Sequence, residues 1–196
     1  RKDRETFWRK DEGFSSIYHP SKSKMIGVED LIASMDESGI QRSVVCGFPW
    51  SHPDLCSFHN DYLTEAASRY PGRLIVFVTL LFSHPDWSEK EWDRKRKEGA
   101  EGVGEIAFYR QAMIPLHIQA MSPLLTQLER ERIPLLFHTN ERLGHSYPGK
   151  GPTPLERFYE FILAHPDLPI LLAHWGGGIL FYELMPEVAK AMKNVY

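Results

Sequence analysis

Three side chains that could bind a metal ion lie in or at the end of short apolar segments. They are Glu105, His138 and His174. A lone histidine in such a place is usually hydrogen-bonded within the core, but a buried carboxylate needs a cation or several donors. Imidazole and carboxylate groups together suit Zn, Mn, Fe or Ni ions. The pattern therefore predicts a site for a divalent metal, with zinc as the expected ion.

A divalent ion in this site would supply hydrolytic or carbonyl chemistry. It lowers the pKa of bound water from 15.7 toward about 7 and polarises a substrate. An imidazole beside such an ion can hold or deprotonate that water. The residues Gly176–Gly178 that follow His174 would either let backbone approach a ligand or form a flexible turn.

Polar and aromatic residues near the same segments are the candidates for substrate binding. Asn140, and the loop that continues to Lys150, are expected to line the mouth of the site. Arg142 is either a clamp for a carboxylate, since its planar guanidinium suits bidentate binding, or a solvent-exposed loop charge. Trp50 and Tyr109 are predicted pocket walls, although aromatic residues near strand ends often serve packing alone.

Apolar segments without strict alternation predict strands that are buried on both faces of a parallel sheet. The predicted strands are Ser43–Phe48, Leu74–Leu81, Val103–Phe108, Ile133–His138 and Ile170–His174, with another opening at Val195. The predicted helices between them are Val28–Ser38, Phe58–Tyr70, Ser88–Glu98, Pro123–Arg132, Pro154–Ala164 and Leu180–Lys193. These helices carry stop and start signals such as Gly39, Pro71-Gly72 and Thr153-Pro154.

The strands recur about every 30 residues, which is the length of a β-α unit. Both an open doubly wound sheet and an eight-stranded (β/α)8 TIM barrel use this repeat. The first predicted strand is followed by Cys46-Gly47-Phe48-Pro49-Trp50, which is unlike a phosphate-binding turn, so the barrel is favoured. We expect residues 1–196 to be one incomplete barrel domain that lacks the first strand and the end of the barrel. In a barrel the carboxyl ends of the strands hold the catalytic groups.

The motifs around the candidate ligands resemble those of the amidohydrolase superfamily, specifically its amidohydrolase-2 branch. The similar segments are Gly104-Glu105, Phe137-His138-Thr139-Asn140 and Ala173-His174-Trp175-Gly176-Gly177-Gly178, and the likeness runs from about Val28 to Tyr196. The resemblance implies that His138 is a metal ligand. It implies that His174 is either a ligand of a second metal or the base that orients water. Glu105 stands where some members with two metals place a carboxylate, whereas other members have no ligand there.

The resemblance implies a metal-dependent hydrolase that acts on a small organic acid, amide or lactone. Two alternatives remain open: a non-oxidative decarboxylase on the same scaffold, and a non-catalytic binding protein derived from the barrel. The family's His-x-His pair and Asp belong to strands that we expect to fall outside this chain. An upstream His-x-His would favour the enzyme.

Composition excludes several other classes of function. The formal net charge is -3, and the basic cluster Arg94–Lys97 is flanked by acids, so it is interpreted as a solvated helix face and not a nucleic-acid surface. Gly144–Gly151 approaches a nucleotide-binding P-loop but lacks the final Ser or Thr. Two cysteines and no long apolar segment predict a cytoplasmic protein without a membrane span. The expected partner is a small-molecule substrate, and a homo-oligomer is compatible with the sequence.

Overall fold

The computed structural model describes residues 2–18 and 24–196 and contains a sheet of five parallel strands. The strands are β1 Ser43–Cys46, β2 Leu74–Val78, β3 Gly102–Ile106, β4 Leu135–Phe137 and β5 Ile170–Leu172. They lie side by side in chain order, and every neighbouring pair is parallel. Beyond β5, a parallel bridge joins Ile170 to Val195, where the next strand was predicted. The sequential order confirms the incomplete TIM barrel, since an open doubly wound sheet reverses its strand order.

Helices precede β1, fill the intervals between the strands and follow β5. They are α1 Lys2–Lys10, α2 Glu12–Ile17, α3 Val28–Glu37, α4 Pro53–Arg69, α5 Pro85–Lys97, α6 Pro115–Ala120, α7 Ser122–Glu131, α8 Leu155–Ala164 and α9 Pro186–Ala191, with an irregular 3-10 segment at Trp175–Leu184. None of the helices that the structure describes is long and apolar enough to cross a membrane. The main core lies between the sheet and these helices, and it includes Val78, Val103, Leu135 and Phe137, which are fully buried.

Three helix predictions were wrong in their bounds or continuity. Helices α4 and α5 begin earlier than predicted, at Pro53 and Pro85, because proline is well suited to the first helical position. The predicted helix Leu180–Lys193 is divided at Pro186, which lacks an N–H for an interior helical hydrogen bond. The strands are also shorter than predicted at their carboxyl ends, where the chain leaves the sheet and forms the loops of the site.

The interpretation of Arg94–Lys97 as a solvated face was wrong for Lys95, whose side chain is only 1% exposed. The helix buries Ser88, Glu91, Trp92 and Lys95, which are spaced three or four residues apart and therefore share one face. The Lys95 ammonium donates to Thr64 Oγ1 at 2.9 Å and to Glu98 Oε2 at 2.5 Å. A buried cation needs such partners, so this lysine joins α5 to α4.

The sequence did not predict helices α1, α2 and α6. Of these, α1 and α2 pack on the loop after β1. Asp11 lies between them and is 1% exposed. Its carboxylate accepts hydrogen bonds from the backbone N–H of Phe14 at 2.8 Å, as an N-cap, and from that of Ser51 at 2.7 Å. Phe7 and Phe14 contact Trp50, so the pair of helices covers the loop that follows β1.

Candidate metal centre

The structure brings Glu105, His138 and His174 together at the carboxyl ends of β3, β4 and β5. One ligand atom from each residue lies within 4.8 Å of those of the other two. Glu105 Oε1 lies 3.0 Å from His138 Nδ1 and 3.9 Å from His174 Nε2. The side chains of His138 and Glu105 are 12% and 21% exposed, whereas that of His174 is 60% exposed. The cluster is therefore enclosed on the β3–β4 side and open at His174.

Glu105 reaches the cluster because strand β3 is irregular. Val103 pairs with Leu135 and Ile106 pairs with Phe137, so β3 has one residue more than β4 in this interval. A bulge of this kind redirects a side chain. Gly104 makes it possible: its φ is +139°, and a Cβ there would lie 2.6 Å from the carbonyl oxygen of Leu136. The glycine therefore sets the direction of the carboxylate.

His174 begins a run of five residues with positive φ, His174–Gly178. Left-handed backbone is costly for residues that have a Cβ, which explains the three glycines but leaves strain at His174 and Trp175. Gly177 lies against the loop after β4, where a Cβ would be 2.4 Å from the carbonyl oxygen of Asn140. Gly177 thus allows close approach between two backbone segments of the chain itself.

The hydrogen bonds of His138 identify its tautomer. Nε2 lies 3.0 Å from the carbonyl oxygen of Gly149, which can only accept, so Nε2 carries the proton. In the neutral ring Nδ1 is then an unprotonated acceptor that faces Glu105 Oε1 and His174 Nε2. A carboxylate oxygen and an unprotonated ring nitrogen 3.0 Å apart need a proton or a cation between them. Two imidazoles and a carboxylate form a donor set that fits a divalent metal ion.

The negative charge of Glu105 affects two neighbouring groups. Burial raises the pKa of the Tyr109 phenol, and the Glu105 charge raises it further. Burial also raises the pKa of the Cys46 thiol, again with a contribution from Glu105. Both groups therefore stay protonated and neutral near pH 7, and Tyr109 keeps a hydroxyl that can donate. The Tyr109 ring lies edge-on to the His138 ring, with centroids 5.0 Å apart.

Tyr109 and Trp50 both line a cavity of about 180 Å³ between the loops that follow β1, β2 and β3. Leu80, Phe82 and Phe108 form apolar walls, and Arg110 lies among the lining residues. Trp50 itself is 3% exposed, and its indole N–H donates to His59 Nδ1 at 3.1 Å. Trp50 therefore forms part of a packed wall, while Tyr109 connects the cavity with the histidine cluster.

Two residues predicted for substrate binding are held by the chain itself. The Arg142 guanidinium is 67% exposed and pairs with the Glu156 carboxylate, which supports a surface loop charge over a carboxylate clamp. Asn140 is buried, and both atoms of its amide group bond to Gly151. In this arrangement the Asn140 amide is fully engaged by Gly151, and the Arg142 guanidinium takes part in an exposed ion pair.

The sequence reasoning missed Cys46, Tyr18 and the carbonyl of Gly149 as neighbours of the site. Cys46 could have been found, because it lies near the carboxyl end of the predicted strand Ser43–Phe48, at the same end of the sheet as Glu105. Tyr18 lies close enough to Tyr109 to contribute to the raised pKa of its phenol. A backbone carbonyl contributed by a loop has no signal in the residue types.

Comparisons with solved structures support the fold. A 5-carboxyvanillate decarboxylase from Novosphingobium aromaticivorans, with bound manganese and 3-methoxy-4-hydroxy-5-nitrobenzoic acid, is 23% identical with a TM-score of 0.72, over 95% of this chain and 66% of that chain. A Rhizobium 2,6-dihydroxybenzoate decarboxylase is 18% identical with a TM-score of 0.58, over 79% and 58%. A probable 2-pyrone-4,6-dicarboxylic acid hydrolase from Acinetobacter baumannii, with citric acid bound, is 13% identical with a TM-score of 0.58, over 89% and 60%.

The chain spans between 58% and 66% of the lengths of these three structures. Identities this low show a shared fold and leave the reaction open. No curated protein matches the chain. The amidohydrolase family model Amidohydro_2 matches residues 8–196, which is nearly the whole sequence. The chain therefore belongs to the amidohydrolase-2 family.

Proposed function

We propose that the protein is a metal-dependent enzyme that hydrolyses a small organic acid derivative, such as an amide or a lactone. The observation that carries this proposal is the convergence of Glu105, His138 and His174 within 4.8 Å at the carboxyl ends of three successive parallel strands. Active sites of parallel barrels lie at this end. A purely structural role would not require a carboxylate and two imidazoles to face one another in a partly exposed cleft.

In this proposal the three residues hold a divalent ion, with zinc as the expected metal and manganese as the second candidate. When bound, such an ion acts as a Lewis acid that polarises a substrate carbonyl and acidifies water. His138 is oriented by its Nε2–H bond to Gly149, which leaves Nδ1 facing Glu105 and His174, where it would help to hold the ion. The carboxylate of Glu105, beside His138 Nδ1, gives the centre a negative charge that favours a cation.

His174 is the residue best placed to move a proton during the reaction. It is the most exposed of the three, and it comes from the open side of the cluster. Both of its proposed roles, ligand and general base, fit this geometry. The cavity beside Tyr109 would hold the body of the substrate, because its apolar walls suit a small organic molecule.

Decarboxylation is the second candidate reaction. The observation that favours it is that two of the compared structures are named as decarboxylases, one of them with bound manganese. Hydrolysis and decarboxylation can use the same ion, since both need a polarised carboxylate or carbonyl group. A non-catalytic binding protein is disfavoured by the three converging ligands.

The test is metal content and turnover in the complete protein. We expect stoichiometric divalent metal in the purified protein, and loss of activity against a panel of lactones, amides and aromatic acids when a chelator is added. Released acid and released CO2 distinguish the two reactions. The matched control for the ligand variant His138→Ala is His84→Ala, which removes an exposed histidine that follows β2 at the same end of the sheet. The proposal would be contradicted if the wild type held no metal, or if His84→Ala lost metal as completely as His138→Ala.

A further inference from the structure

Asn140 is buried, although it lies two residues after His138 and beside an exposed loop. The residue is 9% exposed. Its Oδ1 accepts from the Gly151 N–H at 2.8 Å, and its Nδ2 donates to the Gly151 carbonyl at 3.3 Å. The amide thus pairs with both backbone groups of one residue, as a neighbouring strand would. This closes the loop from Glu141 to Lys150 at its two ends.

Gly151 is held firmly in this place. A Cβ at Gly151 would lie 2.9 Å from the carbonyl oxygen of Phe108 and 3.5 Å from Asn140 Oδ1. The residue is therefore clamped between the loop after β3 and the Asn140 amide. Lys150 adds a further restraint within the loop, because its ammonium donates to the carbonyl of Leu143 at 3.0 Å and to that of His145 at 3.3 Å.

The same loop contributes the acceptor that orients His138. The Gly149 carbonyl, two residues before Gly151, accepts from His138 Nε2–H at 3.0 Å. Gly149 has a φ of +94°, which allows the carbonyl to face the imidazole where the loop turns. The position of the carbonyl depends on the loop, and the loop depends on its attachment to Asn140.

We infer that Asn140 is a positioning residue for the metal centre and does not bind the substrate. It holds Gly151, which places the Gly149 carbonyl on His138 Nε2–H and leaves Nδ1 directed at the metal. The inference rests on the proposed function, since it assumes that His138 is a ligand. Second-layer contacts of this type commonly change metal affinity about 10-fold to 100-fold.

The experiment uses the complete protein loaded with zinc. We expect Asn140→Ala to raise the zinc dissociation constant about 10-fold in competition with a chelator. In NMR spectra, the Nε2 proton of His138 should exchange with solvent slowly in the wild type and quickly in Asn140→Ala. This proton reports the Gly149 contact directly, and a general loss of stability would not move it selectively.

Asn60 offers a matched control. It is fully buried, and it pairs with both backbone groups of Thr79, at 3.0 Å and 3.1 Å, in the same way that Asn140 pairs with Gly151. Asn60→Ala should lower the Tm but leave the zinc dissociation constant and the His138 proton unchanged. Gly151→Ala is the second variant at the site. Its added Cβ would clash with the carbonyl of Phe108 and move the same loop, so Gly151→Ala should reproduce the effects of Asn140→Ala. It keeps the inference testable if Asn140→Ala does not fold.

The results separate this inference from the proposed function. If the wild type does not bind zinc, or His138→Ala binds it equally well, the metal site itself is wrong. If zinc binding depends on His138 but Asn140→Ala and Gly151→Ala keep wild-type affinity and slow proton exchange, only the positioning role is overturned. Equal weakening of zinc binding in Asn60→Ala would also overturn it, because the effect would then follow from stability alone.

Discussion

His174 Nε2 lies 3.2 Å from His138 Nδ1, although the two residues are 36 positions apart in the chain. Their rings meet edge to face, with centroids 4.8 Å apart. The residues that flank them are also joined, because the Thr139 hydroxyl donates to the carbonyl of Ala173. The loops after β4 and β5 are therefore joined directly, and we expect a substitution of either histidine to shift the position of the other.

The first prediction separates the roles of the two histidines. His138→Ala should abolish metal retention, because it removes the enclosed ligand between Glu105 and His174. His174→Ala should reduce turnover by at least about 100-fold, the usual contribution of a general acid or base. Metal content by elemental analysis decides its role: retained metal indicates a base, and lost metal indicates a ligand. Normal turnover in both variants would refute the metal centre.

The second prediction concerns the charge of Glu105. Glu105→Gln keeps the shape of the side chain but removes the negative charge that faces His138 Nδ1. We expect weaker metal binding, measured by titration with zinc and manganese, with a Tm close to that of the wild type. Glu101→Gln, an exposed acid that precedes β3, is the control and should leave both affinities unchanged. Unaltered affinity in Glu105→Gln would remove this residue from the ligand set.

The third prediction concerns the bulge in β3. Gly104→Ala places a Cβ 2.6 Å from the Leu136 carbonyl and must also adopt a φ of +139°, so β3 has to shift. Metal affinity and stability should both fall. Gly99→Ala is the matched control, because its φ is also positive, at +99°, but no atom lies within 4 Å of the added Cβ. Gly99→Ala should cost about 1 kcal/mol of unfolding free energy and leave metal affinity intact. Equal metal affinity in Gly104→Ala and the wild type would contradict the role of the bulge.

The fourth prediction concerns pH and His59. Burial lowers the pKa of His59 to about 4, and its Nδ1 accepts from the N–H of Phe48 at 3.3 Å and from Trp50 Nε1–H at 3.1 Å. The unfolded chain binds this proton near pH 6.5, whereas the folded protein resists it. Stability is therefore complete above pH 6.5 and should fall by about 3 kcal/mol as the pH approaches 4.

Denaturant unfolding between pH 4 and pH 7 measures this effect. His59→Gln should flatten the pH dependence, because glutamine can accept a hydrogen bond but does not titrate in this range. The control His84→Ala removes an exposed histidine and should keep the steep dependence. A His59→Gln profile that parallels the wild type would assign the effect to other groups.

The strands, their order and the three candidate ligands were all predictable from residue type and spacing. Buried parallel strands are apolar throughout and recur with the length of a β-α unit, and the carboxyl ends of such strands meet at one edge. Glu105, His138 and His174 could therefore be assigned to one place without knowledge of any contact. Membership of the family followed from the same segments.

Only the tertiary structure decided which of the other polar side chains are buried and which partners they have. Asn140 and Arg142 are polar loop residues with similar sequence surroundings, yet one is buried against Gly151 and the other pairs with Glu156 on the surface. Lys95 lies within a basic run and is nevertheless buried, because its helix packs that face on α4. Local sequence determines which elements form and where they end. Side-chain partners depend on which elements become neighbours, and those contacts join residues far apart in the chain.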